Sequence, residues 1–386
     1  MANAHSVFSQ ILQWVPKREF QDCVEQHNGD KGVRKLPCWA QFVALLFGQC
    51  TGHNSLRAIE AGLGSVKKKL YHLGIAYGIC RSTLSDANDK RSAKIYEEVF
   101  YRLLPRVERM APRNRLRLKG KFLALDSTTI ELCLALSEWA QFHHGKGAIK
   151  LHVALDLAGN LPTVIVVTEG RRHDVTAARR MSFAAGTLLI MDRAYVDYGW
   201  LWKLTQDGVW FVTRMKKNCR HKVRECRKTN RTQGVMADQT IRLSGIKGRI
   251  YEGKLRKVSY RDQKTGQRYT FLTNRFDLAA KTICDIYKAR WQVELFFKTM
   301  KQYLQVKKFL GTSVNAVTTQ MWIALIAYLL LTMIRFQCKL SWSMPSIMAG
   351  LTMVLFANKE LMDIWDCTPK ERCVNIGMEQ LSLLPI

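Results

Sequence analysis

The chain is poor in acid. Its 386 residues carry 31 Asp and Glu against 60 Lys and Arg, a formal net charge of +29. That surplus exceeds what solubility needs and implies a polyanionic partner, nucleic acid before an anionic membrane surface. Long hydrophobic runs are missing too. The longest, Met321 to Ile334, is interrupted by Thr332 and is short for a membrane span, so it reads as a buried core helix. No basic amphipathic helix with a wide apolar face is apparent, so no membrane partner is expected. Met1 to His5 shows no basic stretch leading into an apolar one, and no signal peptide is expected. The 11 cysteines follow no regular spacing and read as reduced intracellular thiols. Cys219 and His221 with Cys226 hint at a zinc knuckle, but no second ligand pair stands nearby. Internal repeats, a Walker loop and a Gly-rich dinucleotide fingerprint are all absent, which excludes a nucleotide cradle. What is present is 47% apolar residues, enough to bury a core and to exclude intrinsic disorder.

The chain divides into stretches of different character. Residues 1–115 read as helical: Trp39 to Phe47 is one apolar helix, Ser55 to Glu60 begins another that Gly62 and Gly64 break, and Arg81 to Ser85 opens a Ser/Thr-capped third running on through Ile95, Val99 and Leu103. That layout fits a helix-turn-helix or a plain bundle. A basic linker, Pro112 to Lys121, follows. Residues 116–340 mix strands and helices. Phe122 to Asp126 is a short strand ending in a carboxylate. Ala148 to Leu155 and Leu161 to Val167 form a hairpin turning at Gly159 and Asn160. Val175 to Phe183 is helical, Thr187 to Met191 is a strand ending at Asp192, and Val209 to Thr213 is a further strand after a helix. Three strands, helix, strand, helix, strand is the order of a ribonuclease-H-like fold. The fold class is therefore α/β, with a basic β-rich insertion at about residues 216–278, an all-α N-terminal region and a helical tail over residues 341–386. Arg214 to Arg231 holds nine Lys or Arg and a single acid, Glu225. It suits DNA backbone contact or a solvated surface, the former salt-sensitive.

Ile283 to Tyr303 is the most informative segment. At about 100° per residue, Tyr287, Arg290, Glu294, Lys298 and Lys301 fall within roughly 80° of one another, and Ala289, Val293, Phe296 and Met300 gather opposite. One carboxylate is thus ringed by an aromatic and three cations. A salt-bridged solvated face is the ordinary explanation, aided by Glu294 and Lys298 at i,i+4. A mostly cationic stripe neutralises itself poorly, however. In the sheet order above, the strands leading to Asp126 and Asp192 are neighbours. Two carboxylates meeting there repel and lose solvation unless a cation joins them. With Glu294 they form an all-oxygen set suited to Mg²⁺ or Mn²⁺, two ions per site, flanking a scissile phosphate. Arg290 could grip phosphate through two parallel hydrogen bonds, Lys298 and Lys301 as point charges, and Tyr287 by donation or stacking.

Tyr287, Arg290, Glu294 and Lys301 fit Y-x2-R-x3-E-x6-K without a gap. The chain thereby resembles the bacterial insertion-sequence DDE transposases that carry a Y-R-E-K signature. Leu125 to Thr128 and Met191 to Tyr195 are similar to the surroundings of that group's first two acids. Arg34 to Trp39 and Ser55 to Ile59 resemble the short helical domain leading one branch of it. The resemblance spans about residues 5–340. It implies a ribonuclease-H-like core with two Mg²⁺ ions on Asp126, Asp192 and Glu294. It also implies DNA contacts from Tyr287, Arg290 and Lys301, binding to terminal inverted repeats, and strand cleavage followed by joining to target DNA. The partners it implies are double-stranded DNA, as element ends and target, and a second copy in a homodimer, within the bacterial cytoplasm. The 102-residue gap between Asp192 and Glu294 agrees with the strand insertion of related members. Some relatives trap a flipped base on a Trp there; this chain has none between Trp210 and Trp291, leaving Tyr251, Tyr260 or Trp291 as substitutes. His152 reads as a core residue and Asp174 as a helix cap after His173. A metal-dependent nuclease without strand transfer and a silent DNA-binding repressor remain the alternatives.

Overall fold

The computed structural model describes residues 6–112, 120–131, 148–304 and 309–365. The end of the expected tail and most of the basic linker lie outside them. The N-terminal helices are α1 (Val7–Gln13), α2 (Lys17–Gln26), α3 (Cys38–Thr51), α4 (Leu56–Ser65), α5 (Arg81–Lys90) and α6 (Lys94–Met110). Strands β1 (Phe122–Glu131), β2 (Ala148–Asp156) and β3 (Leu161–Glu169) follow, then α7 (Asp174–Ala178), β4 (Leu188–Met191), α8 (Tyr198–Gln206) and β5 (Trp210–Arg214). Strands β6 (His221–Cys226), β7 (Val235–Leu243), β8 (Leu255–Arg261) and β9 (Arg268–Thr273) precede α9 (Ala280–Ala289), α10 (Trp291–Gln302), α11 (Val314–Gln337) and α12 (Met344–Val354).

The nine strands among the described residues join one sheet in the order β3-β2-β1-β4-β5-β9-β8-β7-β6. β1, β2 and β3 are antiparallel, β4 is parallel to both β1 and β5, and the remaining pairs are antiparallel. The β-rich stretch therefore prolongs the sheet beyond β5 instead of forming a sheet of its own. The β2–β3 turn sits at Gly159 and Asn160 as expected; Asn160 takes the left-handed conformation at φ 56°, and Asp156 Oδ1 accepts the Ala158 N–H at 2.9 Å.

Several elements differ from the sequence expectation. β1 does not stop at Asp126 but runs on to Glu131, because the β-branched Thr128, Thr129 and Ile130 continue the ladder with β2. The helix expected over Ile283 to Tyr303 is two helices meeting at Arg290, whose N–H bonds to Tyr287 O at i−3. No Gly or Pro marks that break, so periodicity passes over it. α4 runs through Gly62 and Gly64; a Cβ on Gly62 would lie 2.9 Å from both Phe47 and His53, so glycine serves close packing there. The third helix is two, α5 and α6. Its start has no Ser/Thr side-chain cap; Glu60 of α4 takes the Arg81 N–H instead, at 3.1 Å. Residues 66–80 separate α4 from α5, longer than the turn of a helix-turn-helix.

One core joins the N-terminal helices, α10, α11, α12 and one face of β1–β3, including Ala124, Leu151 and Val153. α11 holds the long apolar run, and every residue from Thr319 to Ile334 is buried inside the molecule. A second core, with Leu123, Leu125, Leu189 and Met191, lies on the other face beneath α8, and a third packs α9 against β4, β5, β8 and β9.

Candidate active site

Strand alternation turns Asp126 toward the face covered by α10, because its neighbours Leu125 and Ser127 point the other way. Asp192 follows the last residue of the parallel neighbour β4. α9 and α10 cross this end of the sheet and deliver the remaining groups. Arg290, at the junction of the two helices, donates from Nη1 to Asp126 Oδ2 at 2.8 Å and from Nη2 to Glu294 Oε1 at 2.7 Å. Tyr287 Oη donates to Asp192 Oδ1 at 3.3 Å. The Arg290 guanidinium lies 5.8 Å from the Tyr287 ring centroid, and that ring packs 4.8 Å from Phe271. Residues 126, 192, 287, 290 and 294 thus form one connected polar cluster.

The cluster is partly withdrawn from water: the Arg290 side chain is 17% exposed, Asp126 21% and Glu294 32%. Burial pushes the Asp126 carboxyl up from its ordinary range. Arg290 and the Ser127 N–H, which donates to Asp126 Oδ1 at 2.8 Å, oppose this, while Glu294 and Asp192 add to it. The Tyr287 hydroxyl is likewise raised, by burial first. The chemistry of the donors, three carboxylates without thiolate or imidazole, fits a hard divalent ion. Among the described residues no three acidic, His or Cys groups stand close enough together to hold one. Asp126 and Glu294 share the Arg290 guanidinium instead.

Other candidates separate. Lys298 is exposed on α10 and Lys301 is half-buried. Tyr251 and Tyr260 are core residues, 1% and 4% exposed, which removes them as base traps; Trp291 stays exposed. The zinc knuckle does not form: Cys219 is buried, its carbonyl accepts from His221 Nδ1, and Cys226 is exposed. The basic run starts beside β4 at Arg214 but leads to β6, the far edge of the sheet, where Lys222 and Arg224 are exposed. Arg227 is tied to Asp238 and Arg214 stacks on Tyr269.

Sequence reading missed a second polar group. Asp174 does not cap α7; the cap position belongs to His173, without a side-chain bond. Asp174 Oδ1 accepts from Ser127 Oγ at 2.6 Å and pairs with Lys150 Nζ at 2.7 Å. The only sequence signal was the β2 alternation, which sets Lys150 and His152 on one face.

Comparison with known proteins gives the family. A family described as the transposase DDE domain matches residues 117–330, and a domain of unknown function, DUF4372, matches residues 3–76. A Geobacillus stearothermophilus protein named for transposing insertion sequence element IS5377 is 34% identical over 272 residues, 69% of this chain and 71% of that protein. A Sinorhizobium fredii protein carrying a transposase name, y4zB, is 32% identical over 252 residues, 64% of this chain and 69% of the other. A solved piggyBac transposase synaptic complex with hairpin DNA overlays at TM-score 0.42 and 12% identity, covering 95% of this chain and 81% of that one. The family match covers more than half of the sequence, and the relatives are similar along most of their length: the chain belongs to the DDE transposases and is a DNA transposase.

Proposed function

We propose that Asp126, Asp192 and Glu294 are the catalytic carboxylates of a ribonuclease-H-like core, within the Y-R-E-K group of insertion-sequence transposases. The observation that carries this is the cluster around Arg290, which gathers Asp126 and Glu294 directly while Tyr287 holds Asp192. The strand order β3-β2-β1-β4-β5, antiparallel then parallel, supports the core assignment. The three carboxylates would hold Mg²⁺ or Mn²⁺, two ions per site. Such ions supply charge that activates the attacking hydroxyl and stabilises the leaving oxygen. The protein's own part is placement. β1 and β4 present two carboxylates from rigid neighbouring strands, and α10 brings the third. For Asp126 and Glu294 to turn toward an ion, Arg290 must exchange them for another anion, and a DNA phosphate suits its fork. Tyr287, Lys298 and Lys301 stand along the same two helices and would grip adjacent phosphates.

Under this proposal residues 1–115 bind the terminal inverted repeats. Residues 116–340 cleave and join strands, with the extension at about 216–278 tracking DNA, and 341–386 form a helical tail. A homodimer would act on paired ends in the bacterial cytoplasm, on the nucleoid.

The test is incubation with DNA carrying the element's ends and Mg²⁺. Asp126→Asn, Asp192→Asn and Glu294→Gln should each abolish strand cleavage while end binding stays nearly intact. Normal cleavage by all three variants would refute the assignment. In the same assay Arg290→Ala should weaken end binding and lower the slope of log K against log salt by about one.

A further inference from the structure

Directly behind Asp126, on the opposite face of the sheet, lies a polar cluster that the proposed chemistry does not use. Ser127 points to that face and pairs across the ladder with His152; Lys150 stands two residues along β2 on the same side. Asp174 gathers them. It accepts from Ser127 Oγ at 2.6 Å, pairs with Lys150 Nζ at 2.7 Å and lies 3.6 Å from His152 Nδ1. The His152 side chain is 1% exposed, and its Nδ1 has no hydrogen-bond partner among the described residues. Thr168 Oγ1 meets His152 Nε2 at 3.0 Å, and the surroundings are otherwise mainly apolar, with Leu123, Leu125, Ala154, Leu189 and Met191. Half-buried ions in such a place cost stability that well-packed apolar side chains would not.

The pairing of β1 supplies a reason for them. β1 is flanked by β4 only from Phe122 to Leu125, because β4 ends at Met191. From Asp126 onward β2 is its only ladder partner among the described residues. The carboxylate of Asp126 is fixed locally by the Ser127 N–H at 2.8 Å. Any drift of the Ser127 peptide therefore turns Asp126.

We infer that Asp174 is a positioning residue: held by Lys150, it clamps Ser127 from behind the sheet, and through the Ser127 N–H it sets the orientation of Asp126. This rests on Asp126 being a metal-binding carboxylate, as proposed above. Groups bonded directly to a metal ligand are commonly worth about 10- to 100-fold in metal affinity; Asp174 acts one bond further off, through the Ser127 backbone, so an effect near about 10-fold is expected.

The experiment uses the full chain and Mn²⁺ as the probe, with bound ion counted by electron paramagnetic resonance. End-DNA affinity, Mn²⁺-dependence of cleavage and thermal unfolding are measured alongside. Asp174→Ala and Ser127→Ala should weaken Mn²⁺ binding about 10-fold and raise the Mn²⁺ needed for half-maximal cleavage to match, with end-DNA affinity unchanged. Ser127→Thr, which keeps the hydroxyl, should restore both. If Asp174→Ala does not fold, Ser127→Ala decides alone, because it removes a single hydroxyl. Unchanged Mn²⁺ binding in the Asp174 and Ser127 variants, with binding lost in Asp126→Asn, overturns the positioning role and leaves the carboxylate assignment standing. Full Mn²⁺ binding by Asp126→Asn overturns the assignment itself.

Discussion

At the residue scale the site is a balance between burial and charge. Asp126 sits deep enough that burial raises its carboxyl, yet Arg290 keeps a cation at hydrogen-bond distance. The arrangement suits a group that exchanges one positive partner for another, because the carboxylate is never far from neutralisation. His152 shows the opposite effect of burial. Its imidazole is pushed down to about 4 by burial, with Asp174 pulling it up and Lys150 adding to the fall. In the unfolded chain the same ring takes a proton near 6.5. Between these values the unfolded state binds the extra proton, so stability falls as pH drops from 6.5 toward 4 and is unaffected by His152 above that window. The loss amounts to at most about 3 kcal/mol. Urea unfolding from pH 7.5 to 4.5 should show this slope, and His152→Gln should flatten it.

At the element scale, the position of α9 matters most, since it carries Tyr287 and ends at Arg290. Its approach is held by a buried strut between β7 and β8. Arg256 and Asp238 form two hydrogen bonds at 2.9 and 2.8 Å and are 3% and 4% exposed. The same guanidinium donates to Leu278 O at 2.6 Å and Phe276 O at 3.3 Å, just ahead of α9. Lys288 of α9 pairs with Asp262 in the β8–β9 turn at 2.8 Å. The extension of the sheet is thereby coupled to the helix that closes the proposed active site. Arg256→Ala leaves Asp238 buried without its main partner and should cost about 3–5 kcal/mol in denaturant unfolding. Replacing both by apolar residues of similar size should cost much less.

At the scale of the whole molecule, α11 is the common support. It packs against α3, α5 and α6 on one side and against α10 and α12 elsewhere, and its interior is buried along nearly its full length. The N-terminal helices therefore share a core with the helix that follows the proposed active site, whatever separate task they perform. A fragment ending at residue 112 would expose the faces of α3, α5 and α6 that α11 covers. By circular dichroism it should show no cooperative melt, whereas the intact chain should. The charge of +29 is also a property of the whole chain. Its densest share lies in residues 214–231, nine Lys or Arg against one acid, which lead to the β6 edge and suit a polyanion backbone.

The sequence by itself determined the polyanionic partner, the apolar helix at Leu325, the β2–β3 hairpin and the identities of Asp126, Asp192 and Glu294 as candidates. Each of these is written in charge balance, in hydrophobic period or in a spaced motif, all of which are local properties of the chain. Tertiary structure alone decided that β1 runs past Asp126, that the helix breaks at Arg290, and that Glu60 caps α5. It also decided that Asp174 serves Ser127 instead of its own helix. Those outcomes depend on which distant group arrives to satisfy a hydrogen-bond donor or a buried charge, and one-dimensional spacing carries no record of that meeting.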